Sequence, residues 1–362
     1  MKIVIVGAGI MGAVLAYQLT RRGADVTVLE AGQPGGGASA ATFGWINASF
    51  FADDDHFHLR QEGIAAHHRL TKVLRSSATR WPGTLWWQEV GEAFDAQHAA
   101  LQRLGYSLRE IGPAEFARME PAVRPPSAAL FFPEEGVVDL DVLGRDALSG
   151  ALEAGARLVF GVRAEAIEQR GGRVTGVRTA QGVVPADRVC VANGTGAETL
   201  LASVSEHLPM LSRPGLILRS APVTAQLNHV LAMPEQELRQ LPDGRLLAPT
   251  AAAHQQDVAE HIIEMPVSLA DAAAERISGL LNCPVRWEAV GLAARPVPHD
   301  GLPVIGGCAL EGLYATVMHS GATLAAIVGE LAAAELTDTP LSNTEAALLA
   351  PYRPSRFVRS NS

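Results

Sequence analysis

A short apolar run, KIVIV at residues 2–6, leads directly into Gly7-Ala8-Gly9-Ile10-Met11-Gly12. The run reads as a fully buried strand. Ile10 to Arg22 carries apolar Val14, Leu15 and Leu19 at helical spacing, Gly23 stops it, and DVTVLE at 25–30 reads as a second strand. A Gly-x-Gly-x-x-Gly turn is weak evidence alone, but between a strand and a helix its glycines have mechanical roles. Gly7 permits the tight turn, Gly9 lets a pyrophosphate approach the backbone, and Gly12 lets helix pack on strand. The helix N-terminus, opening at Ile10 and Met11, then offers free N–H groups and partial positive charge to phosphates. Glu30, 18 residues past Gly12, is placed to accept ribose hydroxyls and to repel a 2′-phosphate. That argues against NADP and leaves NAD and FAD.

The segment after Glu30 separates these two. AGQPGGGASAATFGWIN is small, flexible and able to wrap a phosphate, and Ala38, Ser39 and Thr42 within it are expected to contact the cofactor. An NAD dehydrogenase would continue with further βαβ repeats. Here the chain leaves for a helix at about 56–74 and a strand-rich stretch, and an α/β pattern returns only near residue 140. The expected fold class is therefore α/β. It has a discontinuous Rossmann-like cofactor domain (1–80, 137–210 and 290–336), a sheet-based α+β substrate domain (81–136 and 211–289), and a C-terminal tail at 337–362. The length of 362 residues and 48% hydrophobic content accommodate two such cores.

Three groups of residues beyond the first turn resemble one family. GAGIMG with LE and GASAATFG, then RVCVANGTGAETLL at 188–201, then RPVPHDGLPVIGG at 295–307 with LYATVMHSGATLAAIVGELAAAEL at 313–336 look like the D-amino acid oxidase superfamily of FAD-dependent amine oxidoreductases. Glycine oxidase, sarcosine oxidase and D-amino acid dehydrogenase belong to it. The resemblance covers the chain to about Leu336. It implies noncovalent FAD and oxidation of a C–N bond in an amino acid or N-substituted amino acid, with hydride passing to flavin N5. It also implies that Val162 bonds the adenine through its backbone and that Asn193 and Gly194 form a turn near the flavin. Arg295 stands where the family's arginine grips the substrate carboxylate, a task suited to a planar fork of donors. His319 is at a position that faces the substrate in relatives. Ser320, Gly321, Ala322, Thr323 and Leu324 open the last helix, whose N-terminus would stabilise the anionic reduced ring. Gly306 and Gly307 are expected to allow close cofactor approach. Trp45 and Asn47 are candidates to line the substrate space, and so are Arg239 and His254, because no tyrosine occurs in 211–289.

Residue counts narrow the chemistry further. Of 29 basic residues only Lys2 and Lys72 are lysines. Lys2 opens the first strand and Lys72 lies in a surface-like helix, so neither is expected to activate oxygen over the flavin. Sarcosine oxidase-type members of the family place a lysine there, so the resemblance implies a dehydrogenase, or an oxidase using another cation, rather than a sarcosine oxidase. The electron acceptor is oxygen, a quinone or a protein. A net charge of −9 without a basic run excludes nucleic acid as a natural partner. Cys190, Cys283 and Cys308 lie far apart and form no CxxC pair, which fits a reducing, cytoplasmic setting. Glycines interrupt the apolar N-terminus, and no run reaches 18 apolar residues, so no stable membrane insertion is expected. The acidic-histidine run at 53–58 reads as a helix cap rather than a metal site. Two other readings of the function stay open here: an NAD-dependent dehydrogenase, and a flavin-binding subunit active only with a partner.

Overall fold

The structure is a computed structural model that describes residues 1–251, 261–262 and 265–357. The strand β1 (Lys2–Val6), the helix α1 (Ile10–Arg21) and the strand β2 (Asp25–Glu30) open the chain. β1 lies inside a six-stranded sheet ordered Val304–Gly307, Leu313–Val317, Arg188–Val191, β1, β2, Arg157–Phe160. All neighbours are parallel except the outer pair 304–307 and 313–317. Val4 faces Thr27 on one side and Val189 on the other.

The alternation of a strand sends successive side chains to opposite faces. Ile3 and Ile5 therefore join a core with α1 and the closing helix Gly321–Leu336, while Val4 and Val6 join a second core with Val189, Val174 and Leu200. Covering on both faces is what lets an all-apolar run form a strand.

An eight-stranded sheet stands beside this layer. Its order is Trp287–Ala294, Pro214–Ser220, Leu246–Pro249, Glu237–Gln240, Val230–Ala232, Thr84–Trp86, Ala129–Phe132, Arg109–Ile111. Neighbours are antiparallel except 230–232 against 84–86. Trp86, Val230 and Phe132 pack toward the first core. Leu85, Leu231, Leu238 and Leu246 face away and form their own core with Ile277 and Leu281 of the helix Pro266–Leu281. A three-stranded sheet, Trp45–Ile46, Gly136–Val138 and Thr79–Arg80, lies between the two layers in sequence and shares the first core.

The structure departs from the sequence reading in three places. The stretch 81–136 contains two helices, Glu92–Arg103 and Pro113–Met119. The first turns Phe94 and Leu101 inward at helical spacing, and the second carries Pro113 at its first position, where the missing N–H costs nothing. The strand Trp287–Ala294 continues past the expected boundary at 290. The segment after 337 is not a loose tail. Ser342 and Glu345 form a reciprocal capping box on the helix Asn343–Leu349, and Tyr352 is fully buried. Arg353 clamps Glu335 through two bonds of 2.8 and 2.6 Å. Among the described residues no helix is long and apolar enough to cross a membrane.

Candidate active site

The glycine turn is built as its sequence requires. Gly7 has φ of +101°, which a side chain would resist, and a Cβ on Gly12 would lie 1.9 Å from the Gly7 carbonyl oxygen. Gly9 differs: its Cβ would meet nothing nearer than Ser39 Oγ at 3.5 Å. Protein atoms therefore leave the space over Gly9 open. The first backbone bond of α1 runs from Ala13 N–H to the Gly9 carbonyl, so the Met11 amide has no backbone acceptor. Glu30 receives the Ala8 and Gly32 amides at 2.8 and 2.7 Å, and Ser39 Oγ accepts the Ile10 N–H at 3.1 Å. The carboxylate and the loop are thus held where the turn opens.

One cavity of about 650 Å³ begins at this turn. It passes Glu30, Gln33 and Arg163, runs along Ala38, Ser39 and Thr42, and reaches Asn193, Gly194, Trp45 and Asn47. It ends between Arg295, His319, Thr250 and the first residues of the closing helix, Ser320 to Thr323. Thr323 and Leu324 N–H both bond Ser320 O, leaving the Gly321 and Ala322 amides in the unpaired first turn. Asn193 Oδ1 is buried without a partner. A Gly-rich cradle at one end, open space over Gly9, an orphaned acceptor midway and a helix N-terminus at the far end together suit a long, phosphate-bearing, hydrogen-bonding group.

Arg60 is the functional candidate the sequence reading missed. It belongs to the helix α2 (Asp54–Leu74), is 4% exposed and lines the cavity. Its Nε and Nη2 donate to Asn47 O and Oδ1 at 3.0 and 2.6 Å, and Nη1 donates to Ser320 Oγ at 2.8 Å. Burial pulls its pKa down to about 10, with Glu135 opposing. It nonetheless remains a cation near neutral pH, bonded to the residue that caps the closing helix. Its only signal in sequence was a charged residue on a helix stripe that also holds His56 and His67, which does not distinguish a cavity cation from a surface one. No lysine lines the cavity.

The walls are fixed from behind. Trp45 donates its indole N–H to Glu135 Oε2 at 3.0 Å and to Thr84 at 3.1 Å, and the Glu135 carboxylate also accepts Ser49 N–H and Tyr106 O–H. Burial raises the Glu135 pKa, and these bonds work against it. Thr323 Oγ1 accepts the Asn47 N–H and donates to Trp45 O, both at 3.3 Å. Arg295 donates from Nε to Arg213 O and from Nη2 to Pro214 O, each at 3.2 Å, and so is anchored to the start of the strand Pro214–Ser220.

Several expected residues lie elsewhere. Gly306 does not line the cavity: its Cβ position is 3.0 Å from Arg353 and Pro354, so it makes room for the C-terminal segment, and Gly307 is exposed. Leu324 is fully buried core, with its N–H spent on Ser320. The Val162 N–H is taken by Glu30 O at 3.0 Å, and Arg163 and Ala164 line the cavity instead. Arg239 stands behind the wall, its guanidinium 5.8 Å from the centre of the Phe43 ring. Gly12 packs helix on strand and does not reach the cavity. His254 lies outside the described residues. Asp53 caps α2 through the His56 N–H at 2.8 Å.

Comparison with known proteins follows the same lines. A family model described as DAO, FAD dependent oxidoreductase, matches residues 2–335. The chain is 26% identical over 379 residues to the uncharacterized oxidoreductase YurR of Bacillus subtilis, covering 97% of this chain and 98% of that one. It is 22% identical over 385 residues to a D-amino acid dehydrogenase of Neisseria meningitidis, covering 88% and 91%. Among solved structures, glycine oxidase from Geobacillus kaustophilus superposes with a TM-score of 0.87 at 22% identity, over 98% of both chains. That likeness establishes the fold.

Proposed function

The chain belongs to the DAO family of FAD-dependent oxidoreductases, and from that premise we propose that it oxidises the C–N bond of an amino acid or N-substituted amino acid. The reading of the glycine turn as an NAD site finds no support in that membership. The observation that carries the proposal is the single cavity joining a dinucleotide cradle at Gly7–Glu30 to an end lined by the Arg295 guanidinium and His319.

When bound, FAD supplies the acceptor for the hydride that leaves the substrate carbon. The residues of this chain do the positioning. Gly9, Met11, Glu30 and Ser39 hold the pyrophosphate and ribose end, with FAD retained by noncovalent contacts. Asn193, Gly194 and the Gly321 and Ala322 amides would hold the ring end, where partial positive charge from the helix N-terminus favours developing negative charge. Arg60 adds a full charge there through Ser320 Oγ, and burial makes that charge more effective than it would be in water. Arg295 pairs with the substrate carboxylate, His319 lies beside it, and Trp45 and Asn47 orient the remainder. Fixing the substrate in this way converts an encounter into a reactive arrangement.

The two relatives named for their substrates, a D-amino acid dehydrogenase and a glycine oxidase, both act on amino acids. The decisive experiment is an anaerobic screen of D- and L-amino acids, glycine, N-methyl amino acids and plain amines against the yellow holoenzyme, read as bleaching of flavin absorption. Bleaching by carboxylate-bearing amines and none by their decarboxylated analogues is the expected result. Equal bleaching by both sets would remove the amino-acid assignment while keeping the amine oxidoreductase.

A further inference from the structure

Arg239 is a buried guanidinium on the strand Glu237–Gln240 and the described structure gives it no countercharge in contact. It is 5% exposed, and its Nε is buried without a hydrogen-bond partner. Arg80 lies near enough to disfavour its charge, and burial acts in the same direction. The acid that favours its charge is Asp139, which acts without a hydrogen bond to it in the described structure and whose Oδ1 accepts the Asp141 and Val142 amides at 3.0 and 3.1 Å. A buried cation without a hydrogen-bonded counter-ion is costly, so a chain that keeps one normally brings a partner to it.

The space for a partner is present. A half-open pocket of about 20 Å³ is lined by both Arg80 and Arg239, with Asn228, His229, Gln240 and Val137 around it. That is room for one water-sized guest. Arg80 donates only Nη2, to Gln240 O at 3.0 Å. Most of the other side-chain donors are already engaged. His229 Nδ1 is paired with Glu120 at 3.0 Å, Asn228 Nδ2 donates to Met119 O at 2.8 Å, and the Gln240 amide bonds Ala225, Gly244 and Leu227. No carboxylate lines the pocket. A guest here meets two guanidinium groups and no carboxylate, so a negative charge is favoured over a neutral water.

We propose that this pocket binds a single monatomic anion, a halide, held by Arg80 and Arg239 where the eight-stranded sheet meets the strand Gly136–Val138. The site is separate from the main cavity but adjoins its wall: Arg239 reaches over the Phe43 ring, and Phe43 lines that cavity. Neutralising Arg239 from behind would steady this wall.

The test uses the FAD-loaded enzyme. Crystals soaked in bromide should show an anomalous peak within hydrogen-bonding distance of both guanidinium groups. In solution, bromide should raise Tm saturably, by on the order of 2 °C, over potassium gluconate at equal ionic strength. Arg239→Gln should abolish that increment. Arg80→Gln, a change at an exposed residue, serves where Arg239→Gln does not fold, and should weaken bromide binding at least tenfold. A pocket holding only water in bromide-soaked crystals would overturn the proposal. So would a bromide response that is the same in Arg80→Gln as in the parent.

Discussion

Gly9 and Gly12 occupy the same motif but answer to different constraints, and this separates cofactor binding from folding. A Cβ at Gly12 collides with the Gly7 carbonyl, whereas at Gly9 it meets only Ser39 at van der Waals distance. Gly9→Val should therefore keep near-parental thermal stability in the apo form and lose FAD, because the side chain enters space reserved for the pyrophosphate. Gly12→Val should lose both. Full flavin content in purified Gly9→Val would contradict the assignment. Arg295 and Arg60 divide in a similar way. Arg295→Lys retains charge but not the planar fork, and a charge-assisted bond contributes about 1.5–3 kcal/mol, so kcat/KM should fall roughly tenfold to a hundredfold. Flavin content should not change, and the penalty should shrink for substrates without a carboxylate. Arg60→Met removes the cation bonded to Asn47 and Ser320. The midpoint potential of bound FAD should become more negative, with Arg60→Lys recovering part of the shift. An unmoved potential would make Arg60 a structural residue only. The motif glycines and Glu30 could be singled out in sequence because turn chemistry and motif spacing are local, whereas Arg295 was singled out by family resemblance alone. Arg60 was not, because 13 residues of chain separate it from Asn47 and 260 from Ser320.

At the scale of elements, the seam between α2 and the closing helix positions the far end of the cavity. A Cβ on Gly63 would lie 2.6 Å from the Thr323 carbonyl oxygen. His67 Nε2–H donates to Ala322 O at 2.8 Å. Both contacts fall on the first turn that lines the cavity. Gly63→Ala should push the helices apart, with a cost of about 1–3 kcal/mol, and should loosen FAD more than that loss of stability alone explains. Urea melts of the apo form and flavin titration, taken together, check this. Parental FAD affinity in a destabilised Gly63→Ala protein would show that the seam does not set the first turn. The boundaries of the long helices were readable from apolar spacing and caps, and the helix Leu140–Glu153 has the limits its sequence implies. The two short helices within 81–136 were hidden by the aromatic strand pieces around them. Gly306 and the Val162 N–H meet protein atoms instead, because a glycine or a strand residue looks the same in sequence whether its neighbour is a cofactor, the C-terminal segment or the Glu30 carbonyl.

The whole molecule should be acid-labile in a way traceable to two buried histidines. Burial lowers the pKa of His67 to about 4 and of His56 to about 3, from an ordinary 6.5. Above pH 6.5 both are neutral whether the chain is folded or not. As the pH falls below 6.5 the unfolded chain takes up the protons first, so stability drops through that window until the folded-state values are reached. His67→Gln, which can keep a donor to Ala322 O, should flatten the decline between pH 6.5 and 4 in urea melts. An unchanged slope would mean that other groups dominate acid unfolding. The sequence by itself determined the βαβ start, the cofactor class, the interleaving of two sheet systems and the family. The first three follow from periodicity, turn residues and spacing within short windows, and the family from the resemblance of motifs spread along the chain. Only the tertiary structure decided that the C-terminal segment is packed, that Arg60 completes the cavity and that Arg239 is enclosed behind its wall. Those outcomes depend on which distant elements meet, and burial of a charge is set by that meeting rather than by its neighbours along the chain.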